Sequence, residues 1–491
     1  MLLHNNPVGS SRLEAEFIVS DTRAPASFPA GFLWGTKTSS YQIEGAVDAD
    51  GRGPSIWDTF SHRRGATRNG DTGDVACDHY RRMDEDLDLL AKLGAGAYCF
   101  SVAWSRVQPS GRGPANQKGL DFYRRMVDGL VRRSIVPVLT VYHWDLPQAL
   151  EDAGGWVSRD TVGRFAEYTW LLADALGDVV PMWITLNEPW CSSWVGYGIG
   201  EHAPGIRDHG MAAAANHHLL LAHGESVSVL RAQVPSAQIG IGLNLQPIRP
   251  ATDHDDDRAA SRRVDGNLNR LFLDPLFKGT YPADMLEHYA ACTPGFHVVA
   301  DGDLEVISRP IDFLGVNFYS PTTVCAPTRR AQAQAAGYWI PTPHRRERVG
   351  DLGAVQVLRT EVARTQMGWE IEPGALAEIL RRVRDEYTTI PLYVTENGAA
   401  FDDYIGPDGE IHDRERVQYL DTHIRAVHDA IESGVDVRGY FVWSVLDNFE
   451  WAHGYSRRFG LTWVDFRSGE RIPKASFAWY QRTARANALD G

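Results

Sequence analysis

Cysteine is scarce and poorly spaced for any framework. Cys77, Cys99, Cys191, Cys292 and Cys325 make an odd count of five in 491 residues, with no C-x-x-C pair. That argues against a disulfide scaffold and a cysteine zinc site, and suits reduced, mostly buried thiols in a cytoplasmic protein. Basic charge is also in deficit, with Lys+Arg 49 against Asp+Glu 63 and a formal net charge of -14. Nothing larger than short pairs such as Arg329-Arg330 breaks that deficit, so no nucleic-acid partner is expected. No apolar run reaches eighteen residues, and no membrane-spanning helix is expected either. Residues 1–26 lack the charged start, apolar middle and small-residue cleavage site of a signal peptide. They read as a disordered leader before a catalytic unit at 27–485.

The remainder is ordinary globular material, 43% hydrophobic and 23% charged, enough to bury a large core. Short apolar or aromatic runs predict strands over 32–35, 97–102, 136–141, 181–186, 239–244, 313–317, 392–395 and 439–443. Amphipathic stretches between them predict helices over 81–93, 120–133, 162–176, 211–233, 374–386 and 414–432. Alternation of this kind calls for parallel strands with right-handed crossovers, and eight repeats favour an α/β fold closed as a single (β/α)8 TIM barrel. A doubly wound dinucleotide-binding sheet is disfavoured because no G-x-G-x-x-G follows the first strand. Two stretches, about 247–307 and 321–362, read as long irregular loops at the rim of the site. The acidic run Asp253 to Asp257 in the first lacks the glycine and distal glutamate of a calcium loop and reads as solvated.

The informative residues fall where predicted strands end, the face on which barrels collect catalytic groups. Thr185-Leu186-Asn187-Glu188-Pro189 follows the fourth strand and Val394-Thr395-Glu396-Asn397-Gly398 the seventh. One glutamate at a strand end is more often a solvated or salt-bridged residue; two converging ones can divide the labour of cleaving a glycosidic bond. Pro189 and the nearby Trp183, Trp190 and Trp194 would bury Glu188 and raise its pKa, whereas Thr395 and Asn397 would favour an ionised Glu396. Other strand ends offer Gln42, Arg106, His143, Trp144, Asn317, Tyr319, Trp443, Glu450 and Trp451. Polar groups for sugar hydroxyls and aromatic faces for sugar C–H bonds are the needs of a carbohydrate pocket, although a bulky core would also use tryptophan. His143 alone reads as a structural histidine, no G-x-S-x-G elbow is present, and His217, His218 and His223 lack H-E-x-x-H spacing. A Schiff-base lyase would want a strand-end lysine, and none of the eight predicted ends carries one.

With Asn448-Phe449-Glu450-Trp451 and Phe32-Leu33-Trp34-Gly35, the two glutamate motifs make the chain resemble glycoside hydrolase family 1, the β-glucosidases, from about residue 28 to 482. The resemblance implies retaining hydrolysis of β-glycosides with Glu188 as general acid/base and Glu396 as nucleophile, without metal or organic cofactor. It assigns glycone binding to Gln42, His143, Asn187, Glu450 and Trp451, stacking to Trp443, nucleophile contacts to Arg106 and Tyr319, and a pocket-lining role to Asn317. Trp144 and Phe459 join the same pocket. The branch that cleaves 6-phosphorylated glycosides carries a small hydroxyl residue matching Glu450, Lys matching Arg457 and Tyr matching Phe459, so Glu450 and Phe459 point to unphosphorylated β-D-glucosides, with galactosides or fucosides also admitted. The implied partners are small-molecule or oligosaccharide β-glycosides, with aglycones near Trp339 and Trp369. Transglycosylation by the same glutamates and a catalytically silent sugar-binding barrel are the alternatives.

Overall fold

The computed structural model describes residues 25–292, 298–341 and 352–490. Eight parallel strands close a barrel: β1 (Leu33–Lys37), β2 (Ala97–Ser101), β3 (Val136–Tyr142), β4 (Met182–Asn187), β5 (Gln238–Asn244), β6 (Phe313–Asn317), β7 (Leu392–Asn397) and β8 (Val437–Trp443). They neighbour one another in chain order, and β8 pairs with β1 from Gly439↔Leu33 to Trp443↔Lys37. All eight predicted strands are present. The interior is plugged by small and bulky apolar side chains, among them Cys99, Ile184, Phe313 and Phe441. A Cβ on Gly35 would stand 2.4 Å from the Phe441 ring, so β1 needs glycine where that ring fills the barrel.

The outer layer includes helices His79–Leu93, Gln117–Arg132, Asp160–Leu176, His209–Gln233, Pro373–Glu386 and Arg414–Glu432, each matching a predicted amphipathic stretch. In Gln117–Arg132 the buried residues Leu120, Tyr123, Val127 and Leu130 recur at three- and four-residue steps, which puts one apolar stripe against the sheet. A further helix, Ala475–Ala486, sends Tyr480 under the barrel, where its hydroxyl donates to the carbonyls of Gly35 at 2.8 Å and Tyr440 at 3.1 Å.

The described residues of the two stretches read as irregular include regular helices and strands. The first holds helices Asp255–Asp265, Leu271–Lys278, Ala283–Cys292 and Asp303–Ile307. The acidic run is not a solvated loop throughout: Asp255, Asp256 and Asp257 form the first turn of a helix, where negative charge complements the dipole. Asp257 is buried and accepts from Thr252 Oγ1 at 2.5 Å and the Ala326 amide at 2.8 Å. Strands Ile248–Pro250, Thr322–Cys325, Tyr338–Trp339 and Val355–Arg359 form a second, four-stranded sheet.

Cys77, Cys99, Cys191 and Cys325 are buried free thiols; the Cys292 side chain and residues 1–24 of the expected leader lie outside the described residues. Ala26–Ser27 pairs antiparallel with Ala488–Leu489. Among the described residues no helix is long and apolar enough to cross a membrane.

Candidate active site

The C-terminal ends of the strands bring most of the expected residues into one buried polar network. Asn187 ends β4, Asn317 ends β6, Glu396 lies in the last turn of pleat of β7, and Glu188 follows β4 directly. Glu188 has a left-handed backbone, φ 45°, a conformation that costs a non-glycine residue about 1–3 kcal/mol and persists only where the surroundings enforce it. Its amide is held by the Gly242 carbonyl at 2.8 Å. After Glu396 the chain turns so tightly over β8 that a Cβ on Gly398 would stand 1.8 Å from the Trp443 carbonyl oxygen. Glycine in that motif is therefore a demand of backbone approach.

The two glutamates have different surroundings. Asn317 Nδ2 donates to Glu188 Oε1 at 2.8 Å and the Cys191 thiol donates to Oε2 at 3.1 Å. Burial, with the nearby Glu396 charge adding to it, pushes the Glu188 carboxyl up to about 7 against the opposing effect of those donors. Glu396 Oε2 accepts from the Tyr319 hydroxyl at 2.7 Å, and Oε1 lies 2.8 Å from the ammonium of Lys37. The residues expected to keep Glu396 charged act elsewhere: Thr395 Oγ1 donates to Asn317 Oδ1 at 2.6 Å, and Asn397 Nδ2 to the Phe318 carbonyl at 2.7 Å.

Lys37 is the residue that sequence reasoning missed. The predicted first strand stops at Gly35 because Thr36 and Lys37 break the apolar run, but the observed strand continues to Lys37. A strand end therefore does carry a lysine, and the expectation of none is corrected. Burial pulls its ammonium down, yet Glu396, Cys99 and Glu188 together outweigh this and Lys37 lies above its ordinary value. An amine held charged in this way is a poor Schiff-base nucleophile. The only sequence signal was an unexplained charge in a segment that is otherwise buried.

Arg106 is corrected too. It sits in a helical turn, Trp104–Val107, beyond β2. Its Nε pairs with Glu44 Oε2 at 2.9 Å, its Nη2 donates to the Gly45 carbonyl at 3.0 Å, and its guanidinium lies 4.2 Å from the Tyr80 ring centroid. These contacts commit it to Glu44 rather than Glu396.

A sugar-sized set of polar groups surrounds the glutamates. Asn187 Oδ1 accepts from Lys37 Nζ at 2.6 Å and Asn317 Nδ2 at 3.0 Å, so its Nδ2 is the donor facing His143 Nε2 at 3.1 Å. Burial, followed by the Lys37 charge, holds His143 well below its ordinary pKa. The neutral ring accepts at Nε2 and carries its proton on Nδ1, which has no hydrogen-bond partner among the described residues. Gln42 is clamped, with Oε1 accepting from Ser39 Oγ at 2.6 Å and Nε2 donating to Asn448 Oδ1 at 3.0 Å and the Phe449 carbonyl at 2.9 Å. Glu450 Oε2 is buried without a hydrogen-bond partner among the described residues. Burial and the charges of Glu396 and Glu188 push Glu450 up to about 8.

Aromatic rings line the same space. His143 stacks between Trp443 and Trp451, with centroids at 5.8 and 5.9 Å. Trp144 backs Trp451 at 4.7 Å and spends its indole N–H on the Asn187 carbonyl at 2.6 Å. Phe459 packs with Trp443, Tyr319 and Trp369, while Trp339 is exposed. Among the described residues no group of three or more His, Cys, Asp or Glu side chains gathers as a metal site would.

Comparison with known proteins agrees with this geometry. Residues 24–489 match the family model described as Glycosyl hydrolase family 1. The chain is 46% identical over 463 residues to a 1,4-beta-D-glucan glucohydrolase of Thermotoga neapolitana, covering 94% of this chain and 99% of that protein. It is 48% identical over 465 residues to a bifunctional beta-D-glucosidase/beta-D-fucosidase of Bifidobacterium breve, covering 93% and 97%. A solved family 1 β-glucosidase from Thermotoga maritima aligns with a TM-score of 0.88 at 45% identity, over 96% of this chain and 100% of the other. A structure of that family 1 enzyme in complex with isofagomine lactam aligns with a TM-score of 0.87 at 45% identity, over 95% and 100%.

Proposed function

The chain belongs to glycosyl hydrolase family 1 and is a glycoside hydrolase; we propose that it cleaves terminal, unphosphorylated β-D-glucosides, glucan oligomers included, by a retaining double displacement. Glu396 is the nucleophile and Glu188 the general acid/base, and residues 27–485 form the catalytic unit. The observation that carries this reading is the asymmetry of the pair. Glu188 is pushed up to about 7 by burial, while Glu396 is bound by Lys37 and Tyr319.

A glycoside enters with its anomeric carbon between the two carboxyls. Ionised Glu396 attacks that carbon as the bond to the leaving oxygen breaks, and the Glu188 proton passes to that oxygen. The product is a glycosyl ester on Glu396, with Glu188 now charged. Water then gives its proton to Glu188 and attacks the same carbon, the ester bond breaks, and both carboxyls return to their starting states. Two inversions give net retention. An alcohol or a second sugar replacing that water gives transfer instead of hydrolysis.

Asn187, His143, Gln42 and Glu450 supply donors and acceptors for glycone hydroxyls, and Trp443 and Trp451 supply apolar faces. The relative named a glucosidase/fucosidase supports tolerance at the 4- and 6-positions of the sugar. A phosphate there would meet the carboxyl of Glu450, whose Oε2 lacks a hydrogen-bond partner among the described residues, and be repelled once it ionises.

Proton NMR of the sugar first released from an aryl β-D-glucoside tests the reading. The β-anomer must appear first and then mutarotate; first release of the α-anomer overturns the double displacement.

A further inference from the structure

Lys37 is buried in the barrel mouth and touches both halves of the site. Its Nζ lies 2.8 Å from Glu396 Oε1 on β7 and 2.6 Å from Asn187 Oδ1 on β4. It stands opposite the small Cys99 side chain of β2 in the parallel register. No other lysine or arginine in the described residues makes an ion pair with Glu396 or a hydrogen bond to Asn187. We propose that Lys37 is the positioning cation of the reaction: it aims the Glu396 carboxylate and turns the Asn187 amide so that its NH2 group faces the sugar. This proposal rests on the double-displacement reading above.

Three features support it. First, Glu396 is gripped at both oxygens, Oε1 by Lys37 and Oε2 by Tyr319, so its plane cannot turn without losing a charge-assisted contact. Second, two donors converge on Asn187 Oδ1, Lys37 Nζ at 2.6 Å and Asn317 Nδ2 at 3.0 Å. An amide whose oxygen is spent on them must present its NH2 elsewhere: one N–H faces His143 Nε2 at 3.1 Å, and the other is left for the sugar 2-hydroxyl, a hydrogen bond that strengthens in an oxocarbenium-like transition state. Third, charge is conserved across the first step. The negative charge leaves Glu396 and appears on Glu188, and Asn317 links Glu188 Oε1 and Asn187 Oδ1 by donating to both, at 2.8 and 3.0 Å. A fixed ammonium beside this network keeps the site near neutrality whichever carboxyl is charged.

The titratable groups around Lys37 are Glu396 on β7, Cys99 on β2, Glu188 after β4 and His143 after β3. The full-length protein is assayed as Lys37→Met, Lys37→Arg and Lys37→Gln on 4-nitrophenyl β-D-glucoside and its 2-deoxy analogue. Lys37→Met should lose about 100-fold or more in kcat/KM, the scale of removing one preorganised electrostatic group. Its preference for the glucoside over the 2-deoxy analogue should shrink about tenfold, and Lys37→Arg should recover part of each loss. Should the methionine variant fail to fold, Lys37→Gln, which keeps a donor for Asn187 without the charge, must lower kcat/KM while retaining the 2-hydroxyl preference. A folded Lys37→Met enzyme with wild-type kcat/KM and an unchanged 2-hydroxyl preference overturns the proposal, provided Glu396→Ala is inactive in the same assay. Full turnover by Glu396→Ala overturns the double displacement instead, and this proposal with it.

Discussion

The thiol of Cys191 donates a hydrogen bond to Oε2 of Glu188 at 3.1 Å, one turn along the helical segment that follows β4. It favours the charged carboxylate, whereas burial favours the acid. The acid/base group thus sits between opposing influences, and the balance lies near neutrality at about 7.

Removing that donor should weaken the acid. Cys191→Ala leaves burial and the Glu396 charge in place, so Glu188 should hold its proton to higher pH. The alkaline limb of kcat/KM for an aryl glucoside should move upward. A downward shift in the pH–rate profile would contradict the role given to Glu188.

Glu396→Ala should lose about 10⁴-fold or more in kcat, in line with deletion of a covalent nucleophile. Azide added to this variant should restore turnover of an activated aryl glucoside and yield the α-glucosyl azide, since one displacement replaces two. Recovery with the β-configuration would exclude Glu396 as the attacking group.

Glu188→Gln removes proton donation without changing shape. Substrates with poor leaving groups need that proton in the transition state, while a dinitrophenolate departs without it. Cellobiose turnover should fall at least about 100-fold more than that of a dinitrophenyl glucoside. Equal losses on both substrates, measured side by side, would remove Glu188 from the acid role.

Glu450 should couple function to stability. Its folded pKa of about 8 lies far above the ordinary 4.5, so the folded state binds a proton that the unfolded chain releases. Stability is then undiminished below about pH 4.5, falls as pH rises toward 8, and stays reduced above that value. Glu450→Gln should raise the melting temperature by about 2–4 °C at pH 8.5, lose that gain near pH 4.5, and raise KM for glucosides. Calorimetry at the two pH values checks the sign.

Much of the architecture was legible because apolar runs and amphipathic stretches alternate along the chain. What escaped follows one physical rule. Strands at a barrel mouth end in buried polar residues, so a reading that tracks hydrophobicity stops early; β1 was cut at Gly35, two residues short of Lys37. The same rule hid the counterion of Glu396; the family resemblance had given that contact to Arg106, which is bound to Glu44. The helices after β5 were missed for the opposite reason. Asp255–Asp265 is acidic at its start and arginine-rich at its end, a charge order that suits a helix dipole but resembles a solvated loop when only apolar periodicity is counted. The glutamates themselves stood out because each follows an apolar run directly.

Closure of the cylinder joins β8 to β1. During synthesis the first strand leaves the ribosome some four hundred residues before its permanent neighbour, whose strand begins at Val437. Until that neighbour emerges, the nascent polypeptide carries an unpaired sheet edge open to stray association. A chain cut short between Gly398 and Val437 therefore retains both glutamates yet should accumulate as insoluble material.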